Sequence, residues 1–320
     1  MNIKSGKKYL TFNGISAIKD GIKENNFKKL TILPKPYWIR IKQVNSILFY
    51  KIKNYLLKYK LNTVCEEAKC PNINECWSNG TMTIMLMGSV CTRSCSFCSI
   101  DTGNPKKIID IFEPRNVAKV ISFLNMKYIV LTSVTRDDLR DGGLKHFIKT
   151  IKFIKAYSPD IRIEVLSPDF SKSIENIKQL VNSGIHVFSQ NIETVKRLTR
   201  IVRDNRSNYI NTLNALNYAK KYNPDILTKS SIMLGLGESY EEVIETMNDL
   251  RKKDVNLLTL GQYLQPTKNH LPVVRYVKPE EFNKFKKIGL EKGFLEVESG
   301  PLVRSSYNAG KVFEKNYLSS

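Results

Sequence analysis

The chain has 320 residues, 42% of them hydrophobic, enough to bury a large core as one barrel-like domain or two smaller ones. No apolar run approaches the length of a membrane-spanning helix, which excludes that class. The formal charge of +21 is mostly lysine spread along the chain beside abundant Asn and Ile, so it reads as compositional bias more than as a nucleic-acid footprint.

In chain order, residues 1–33 are polar, lysine-rich and weakly periodic, and read as an arm. They contain no arginine, include Asp20 and Glu24, and lack a continuous apolar stretch. Neither a transit peptide nor a secretory signal fits, and a cytoplasmic location is expected. Residues 34–40 follow, with Pro34 and Pro36 favouring extended backbone and Trp38 available as an anchor. From 41 to 59 the apolar residues Val44, Ile47, Leu48, Ile52, Tyr55 and Leu56 recur at helical spacing, which predicts a helix leading into Cys65.

All six cysteines lie between Cys65 and Cys98, in two groups of three. Cys65, Cys70 and Cys76 are spaced C-x4-C-x5-C; Cys91, Cys95 and Cys98 are spaced C-x3-C-x2-C. Three thiolates on a tight loop can hold three corners of a cubane iron-sulfur cluster, leaving the fourth iron to another ligand. Structural zinc is the competing reading, but zinc loops favour paired C-x2-C knuckles, and a second pair is lacking. A disulfide framework suits a small secreted domain rather than this chain. Reduced thiols holding metal remain.

Beyond residue 81, β-prone apolar runs at 83–90, 128–134, 161–167, 186–192, 229–236 and 257–264 alternate with helical patterns at 117–125, 144–157, 173–182, 209–222, 240–252 and 279–292. Six β/α units imply parallel strands with right-handed crossovers, an α/β fold of the partial (β/α)6, TIM-like barrel kind. Residues 1–80 and 294–320 are then extensions flanking a barrel over 81–293; they carry the Cys65, Cys70 and Cys76 triad, which points to a second three-cysteine cluster, and the polar tail. Barrel chemistry belongs at the C-terminal ends of the strands. Polar residues collect there: the Cys91 triad after the first strand, then Thr132 to Asp138, Ser167 to Asp169, Gln190 to Thr194, Gly235 to Glu238 and Gly261 to Pro266. None of His146, His186 and His270 has a ligand-like neighbour in the sequence, so each is expected to be structural or solvated. The tail, Ser299 to Tyr307, reads as a turn and a polar patch in which a serine could occupy the fourth iron of a three-cysteine cluster.

The Cys91-Thr92-Arg93-Ser94-Cys95-Ser96-Phe97-Cys98 loop, with an aromatic residue before its last cysteine, resembles the signature of the radical S-adenosylmethionine enzymes. The second triad, Lys229-Ser230, Met233 to Glu238, Gly261 to Thr267 and Arg304-Ser305-Ser306-Tyr307 extend the likeness, from Pro36 to Tyr307, to the branch that builds lipoyl groups by sulfur insertion. The resemblance implies two 4Fe-4S clusters and S-adenosyl-L-methionine as cofactors. Cys91, Cys95 and Cys98 would hold the cluster that binds S-adenosylmethionine. Cys65, Cys70 and Cys76 would hold an auxiliary cluster with Ser305 as fourth ligand and Ser306 in reserve. Phe97, Ser133, Asn191 and Glu193 are the expected cofactor contacts. The implied reaction inserts sulfur at C6 and C8 of a protein-bound octanoyl group.

Implied partners are octanoylated lipoyl carrier domains, as in 2-oxoacid dehydrogenase E2 subunits and the glycine cleavage H protein, a low-potential electron donor, and an iron-sulfur carrier for cluster repair. No membrane or nucleic-acid partner is expected. The alternative is a radical sulfur-inserting enzyme acting on tRNA, for which no separate RNA-binding module is visible. Two departures stand out. Gln190 occupies a position where the family usually has histidine, and an amide cannot titrate near neutrality. Residues 203–206 lack a proline common in the family, which weakens a role for Arg203.

Overall fold

Strand and helix periodicities sort the described residues of the computed structural model, 3–11, 13–22, 33–41, 46–170 and 173–317, around one large sheet. Near the N-terminus, β1 (Lys8–Leu10) and β2 (Ser16–Ile18) pair as an antiparallel hairpin, where composition suggested only an arm. The predicted helix is α1 (Ile47–Tyr59); positions 42–45 of the expected span lie outside the described residues. Ser46 caps α1 by accepting the Phe49 N–H at 3.1 Å, and Lys60 ends it in a left-handed conformation. Next come β3 (Asn62–Thr63), α2 (Val64–Glu67) and α3 (Ile73–Ser78). Trp77 of α3 is fully buried, its ring 5.2 Å from that of Phe49, and this contact seats α3 on α1.

The barrel region runs β4 (Thr83–Leu86), β5 (Val90–Cys91), β6 (Asp101–Gly103), α4 (Glu113–Phe123), β7 (Tyr128–Ser133), α5 (Leu144–Tyr157) and β8 (Arg162–Leu166). It continues with α6 (Ile174–Val181), β9 (Val187–Ser189), α7 (Thr199–Val202), α8 (Tyr209–Tyr222), β10 (Leu227–Leu234), α9 (Tyr240–Arg251), β11 (Leu257–Gln262) and α10 (Pro279–Glu291). Local chemistry supports these assignments, as in the Ser239–Glu242 capping box that starts α9. All six predicted units are present. A further parallel strand, β12 (Glu296–Gly300), and α11 (Ala309–Tyr317) complete the order. Periodicity misses β12 because its two glutamates disguise it; Glu296 is nevertheless buried, with Lys286 Nζ 3.4 Å away.

The main sheet runs β12-β11-β10-β9-β8-β7-β4-β3, and only the β3–β4 pair is antiparallel. Its edges are β12 and β3, so the barrel is open. A second sheet, β1-β2-β6-β5, places the N-terminal hairpin beside the strands that flank the Cys91–Cys98 loop. No helix among the described residues is long and apolar enough to cross a membrane.

Alternation along each strand separates two cores. Ile129, Leu131, Ile163, Val165, Ile232 and Leu260 belong to the large core shared with the covering helices. Tyr128, Val130, Val187, Leu227 and Leu257 face inward and meet Ala309, Val312 and Phe313 of α11. These strand residues stand at or near the N-terminal ends, so α11 fills the lower interior and leaves room only toward the opposite mouth. Lys229, part of one of the motifs that carry the resemblance, lies inside this floor, 3.0 Å from Glu164 Oε1, and the Tyr128 hydroxyl donates to Glu164 Oε2 at 2.6 Å.

His186 borders the same floor, its ring 6.0 Å from that of Phe313, and Nδ1 accepts the Ile163 N–H at 3.1 Å. Burial, then the charges of Arg162 and Lys155, push its pKa down to about 4. A base whose folded pKa is depressed lends stability above its ordinary pKa and loses it as pH falls through the folded value. We therefore expect the melting temperature to fall as pH drops from about 6.5 to about 4. His186→Asn should flatten that part of the profile, measured by thermal melts across a pH series.

Candidate functional site

Cys91 ends β5, and Cys95 and Cys98 sit in the loop returning to β6. The Cys98 N–H donates to the Cys95 carbonyl at 3.1 Å and closes a turn. The end of the N-terminal hairpin supports it: Ser94 Oγ donates to the Gly21 carbonyl at 3.1 Å. A Cβ on Gly21, at φ +70°, would stand 2.3 Å from the Ile100 carbonyl oxygen, so only glycine permits this approach. His270 joins from the loop after β11, with Nε2 3.0 Å from the Cys98 carbonyl and Nδ1 2.9 Å from Thr267 Oγ1. Its role is structural, as is that of His146, buried against Glu113 at 2.6 Å.

Inside the loop, Arg93 is 8% exposed and forks onto two carboxylates. Nε and Nη2 reach Asp137 at 3.0 and 2.7 Å, and Nη1 and Nη2 reach Asp169 at 2.6 and 3.0 Å. Burial alone would lower its pKa, but the bonds to Asp137 and Asp169 outweigh that and raise it. Arg206 adds a second clamp, donating to Asp204 Oδ1 at 2.8 Å, Asp137 Oδ2 at 3.1 Å and the Thr92 carbonyl at 2.8 Å. Asp204 accepts the Ser94 N–H at 2.9 Å and donates its own N–H to Cys95 Sγ at 3.2 Å. Sequence reasoning gives no role to Arg93, Asp204 or Arg206. Arg93 had a signal, its place between two cysteines; the others depend on distant loops meeting.

The other triad is built by short helices: Cys65 on α2, Cys76 on α3, and Cys70 between them, its N–H donating to the Cys65 carbonyl at 3.0 Å. The tail is drawn alongside by Asn72 Nδ2, which donates to the Leu302 carbonyl at 2.6 Å, and by the Tyr307 hydroxyl, which donates to Glu75 at 3.3 Å. It crosses β11 at Gly261, where a Cβ would lie 2.0 Å from the Val303 carbonyl oxygen.

One cavity of about 740 Å³ is lined by all six cysteines and by Phe97, Ser133, Gln190, Asn191, Glu193, Arg203, Ser305 and Ser306. Gln190 and Asn191 reach it because Ser230 Oγ takes over the ladder there, donating to the Gln190 carbonyl at 3.0 Å and accepting the Ile192 N–H at 3.1 Å. Pairing with β10 resumes at Glu193, which adopts φ +69° and accepts from Asn191 Nδ2 at 3.2 Å. Burial raises the Glu193 pKa, with Arg203 and Asn191 opposing. Ser133 Oγ, Gln190 Oε1 and Asn191 Oδ1 are buried without hydrogen-bond partners. Unmet buried polar atoms are costly, so their presence around one cavity fits a polar ligand such as S-adenosylmethionine. The donor set also fits a cluster: each triad lines the cavity with three thiols, close enough for their thiolates to repel.

Burial raises the pKa of every one of these thiols: Cys65 to about 11, Cys76 to about 12, Cys95 to about 11, and Cys70, Cys91 and Cys98 upward as well. Repulsion between neighbouring thiolates adds to the shift at Cys65, Cys76, Cys95 and Cys98. Arg304 stands near Cys70, which favours its charge, while burial lowers its pKa.

The profile of the Radical SAM superfamily matches residues 85–250. The chain is 58% identical over 316 residues to the lipoyl synthase of Legionella pneumophila strain Paris, covering 99% of this chain and 96% of that protein. It is 55% identical over 317 residues to the lipoyl synthase of Ectopseudomonas mendocina strain ymp, covering 99% and 91%. Among solved structures, methylornithine synthase (PylB) superposes with a TM-score of 0.53 at 14% identity, covering 78% of this chain and 71% of that one, which is a likeness of fold.

A metal-free chain buries these thiols protonated, and a group with a raised folded pKa loses its stabilising contribution as pH rises through that value. The metal-free protein should therefore lose melting temperature from about pH 9 upward, through the thiol values near 11 and 12. Protein reconstituted with iron and sulfide should lack this alkaline loss and should release protons on loading, measured by melts and by a pH indicator in weak buffer.

Proposed function

The chain belongs to the lipoyl synthase family of the Radical SAM superfamily, and from that membership we propose how its residues divide the reaction. It is a radical S-adenosylmethionine enzyme that inserts two sulfur atoms, at C6 and C8, into a protein-bound octanoyl group to form lipoyl. We assign Cys91, Cys95 and Cys98 to the 4Fe-4S cluster that binds S-adenosylmethionine. We assign Cys65, Cys70 and Cys76, with Ser305, to a second 4Fe-4S cluster. The observation that carries this division is that two incomplete triads and the Arg304–Ser306 segment share one cavity.

When bound, these groups supply a carbon radical able to take hydrogen from unactivated carbons, and the sulfur that replaces it. The chain's part is binding and exclusion. Ser133, Asn191 and Glu193 offer buried polar atoms to the methionine end or ribose of the cofactor, and Phe97 packs beside it. Gln190 can hydrogen-bond there but cannot carry a proton in or out near neutral pH. Met85, Val134 and Tyr263 add apolar wall that keeps water from the reacting carbons. Arg304 brings positive charge to the Cys70 side, which offsets thiolate charge. A serine oxygen on iron is a harder ligand than a thiolate and should be released more readily when sulfur is withdrawn.

The substrate is an octanoylated lipoyl carrier domain. A low-potential electron donor and an iron-sulfur carrier that rebuilds the second cluster complete the cycle we infer. Six free thiols suit a reducing cytoplasm.

Anaerobic incubation of reconstituted protein with S-adenosylmethionine, a strong reductant and an octanoyl-lysine peptide should add two sulfurs to the peptide by mass spectrometry. Cys65→Ala and Ser305→Ala should each abolish or sharply reduce sulfur gain while 5′-deoxyadenosine still forms; Cys91→Ala should abolish both. Cofactor cleavage by fully loaded protein with an unchanged peptide would overturn the substrate assignment and favour an acceptor such as tRNA.

A further inference from the structure

Cys95 differs from the other cysteines of its loop in one contact. Its sulfur accepts at 3.2 Å the backbone N–H of Asp204, whose carboxylate in turn grips the loop, whereas Cys91 Sγ is approached by the N–H of Arg93 at 3.4 Å and by Thr135, neither of which brings a carboxylate. Asp204 is also held on every side. Its carboxylate accepts from the Ser94 N–H at 2.9 Å, from Arg206 Nε at 2.8 Å and from the Arg206 N–H at 3.0 Å, and the residue is 8% exposed. The carboxylate is thus ion-paired with Arg206 and hydrogen-bonded by the loop backbone. A rigidly held N–H therefore faces one specific sulfur, with a carboxylate three bonds from that nitrogen, paired with Arg206.

We propose that Asp204 is a positioning residue that sets the reduction potential of the cluster held by Cys91, Cys95 and Cys98. The proposal rests on the assignment of that triad to a cluster. A hydrogen bond to a ligating sulfur withdraws electron density and favours the reduced cluster; a nearby carboxylate does the opposite. Asp204 does both, and the balance tunes how readily the cluster accepts the electron that cleaves S-adenosylmethionine. The N–H needs no carboxylate, and the carboxylate needs no N–H, so substitution can separate the two effects.

The test uses full-length protein with both clusters reconstituted and an electron paramagnetic resonance redox titration of the signal that S-adenosylmethionine perturbs. Asp204→Ala keeps the N–H and removes the charge; its midpoint should shift upward from wild type. Asp204→Pro removes both, and Arg203, at φ −98° and ψ 160°, already lies in the region a following proline requires. Its midpoint should lie below that of Asp204→Ala. Equal midpoints in the two variants at full iron content would overturn the proposal. Should the proline variant fail to hold iron, wild type grown with [15N]aspartate supplies an independent measurement. The reduced cluster should show a nitrogen-15 hyperfine coupling that disappears in identically labelled Asp204→Ala, and absence of that coupling in wild type would equally overturn the proposal. A wild-type protein whose signal ignores S-adenosylmethionine would instead refute the cluster assignment, which keeps the two failures apart.

Discussion

Arg93 is the constraint on which the site depends. Its guanidinium lies inside the C-x3-C-x2-C loop and bonds Asp137, beyond β7, and Asp169, beyond β8. Planar, always charged and five-donor, it satisfies two carboxylates at once, which lysine could not. Truncating one partner of a buried pair of this kind typically costs about 3–5 kcal/mol, because the other charge is left without compensation. Arg206 extends the same network to Asp204 and to the Thr92 carbonyl, so the loop's backbone is gripped from the β9 side too. Three thiols are thereby held in place against their mutual repulsion as thiolates.

The second triad is held differently. Among the described residues it has no such fork of charges; it relies on packing of Trp77 against Phe49 and on hydrogen bonds that Asn72 and Tyr307 donate to partners more than two hundred residues away. That long-range closure needs β12 in register on β11 and a side-chain-free Gly261 where the tail crosses. The plugged floor and the open mouth are two consequences of the same tail: α11 fills the lower interior with Phe313, while residues 303–307 rim the cavity above it. A change in the tail is thus felt both in the core and at the candidate iron ligand Ser305.

Electrostatics point the same way. Burial raises the pKa of all six thiols, and the oxygens of Ser133, Gln190 and Asn191 are buried without partners around the same cavity. The chain tolerates these costs in one place only because the surrounding strands are packed by ordinary aliphatic side chains, from Ile129 to Leu260.

Much of this was readable in the sequence, because the relevant signals are local. Cysteine spacing reports how many thiolates one loop can offer, apolar period reports strand or helix, and six alternating units imply parallel strands with polar residues at one mouth. Helices such as α5 and α8 coincide with their predicted spans for the same reason. Tertiary structure alone decided the rest. The N-terminal hairpin is invisible in a lysine-rich arm because its strands are three residues long and gain their stability from β6. Glutamates concealed β12, whose burial is made tolerable by Lys286. No spacing rule could join Arg93 to Asp137, Asp169 and Arg206, or Asp204 to the sulfur of Cys95, since those contacts exist only once separate loops are brought to the same end of the sheet.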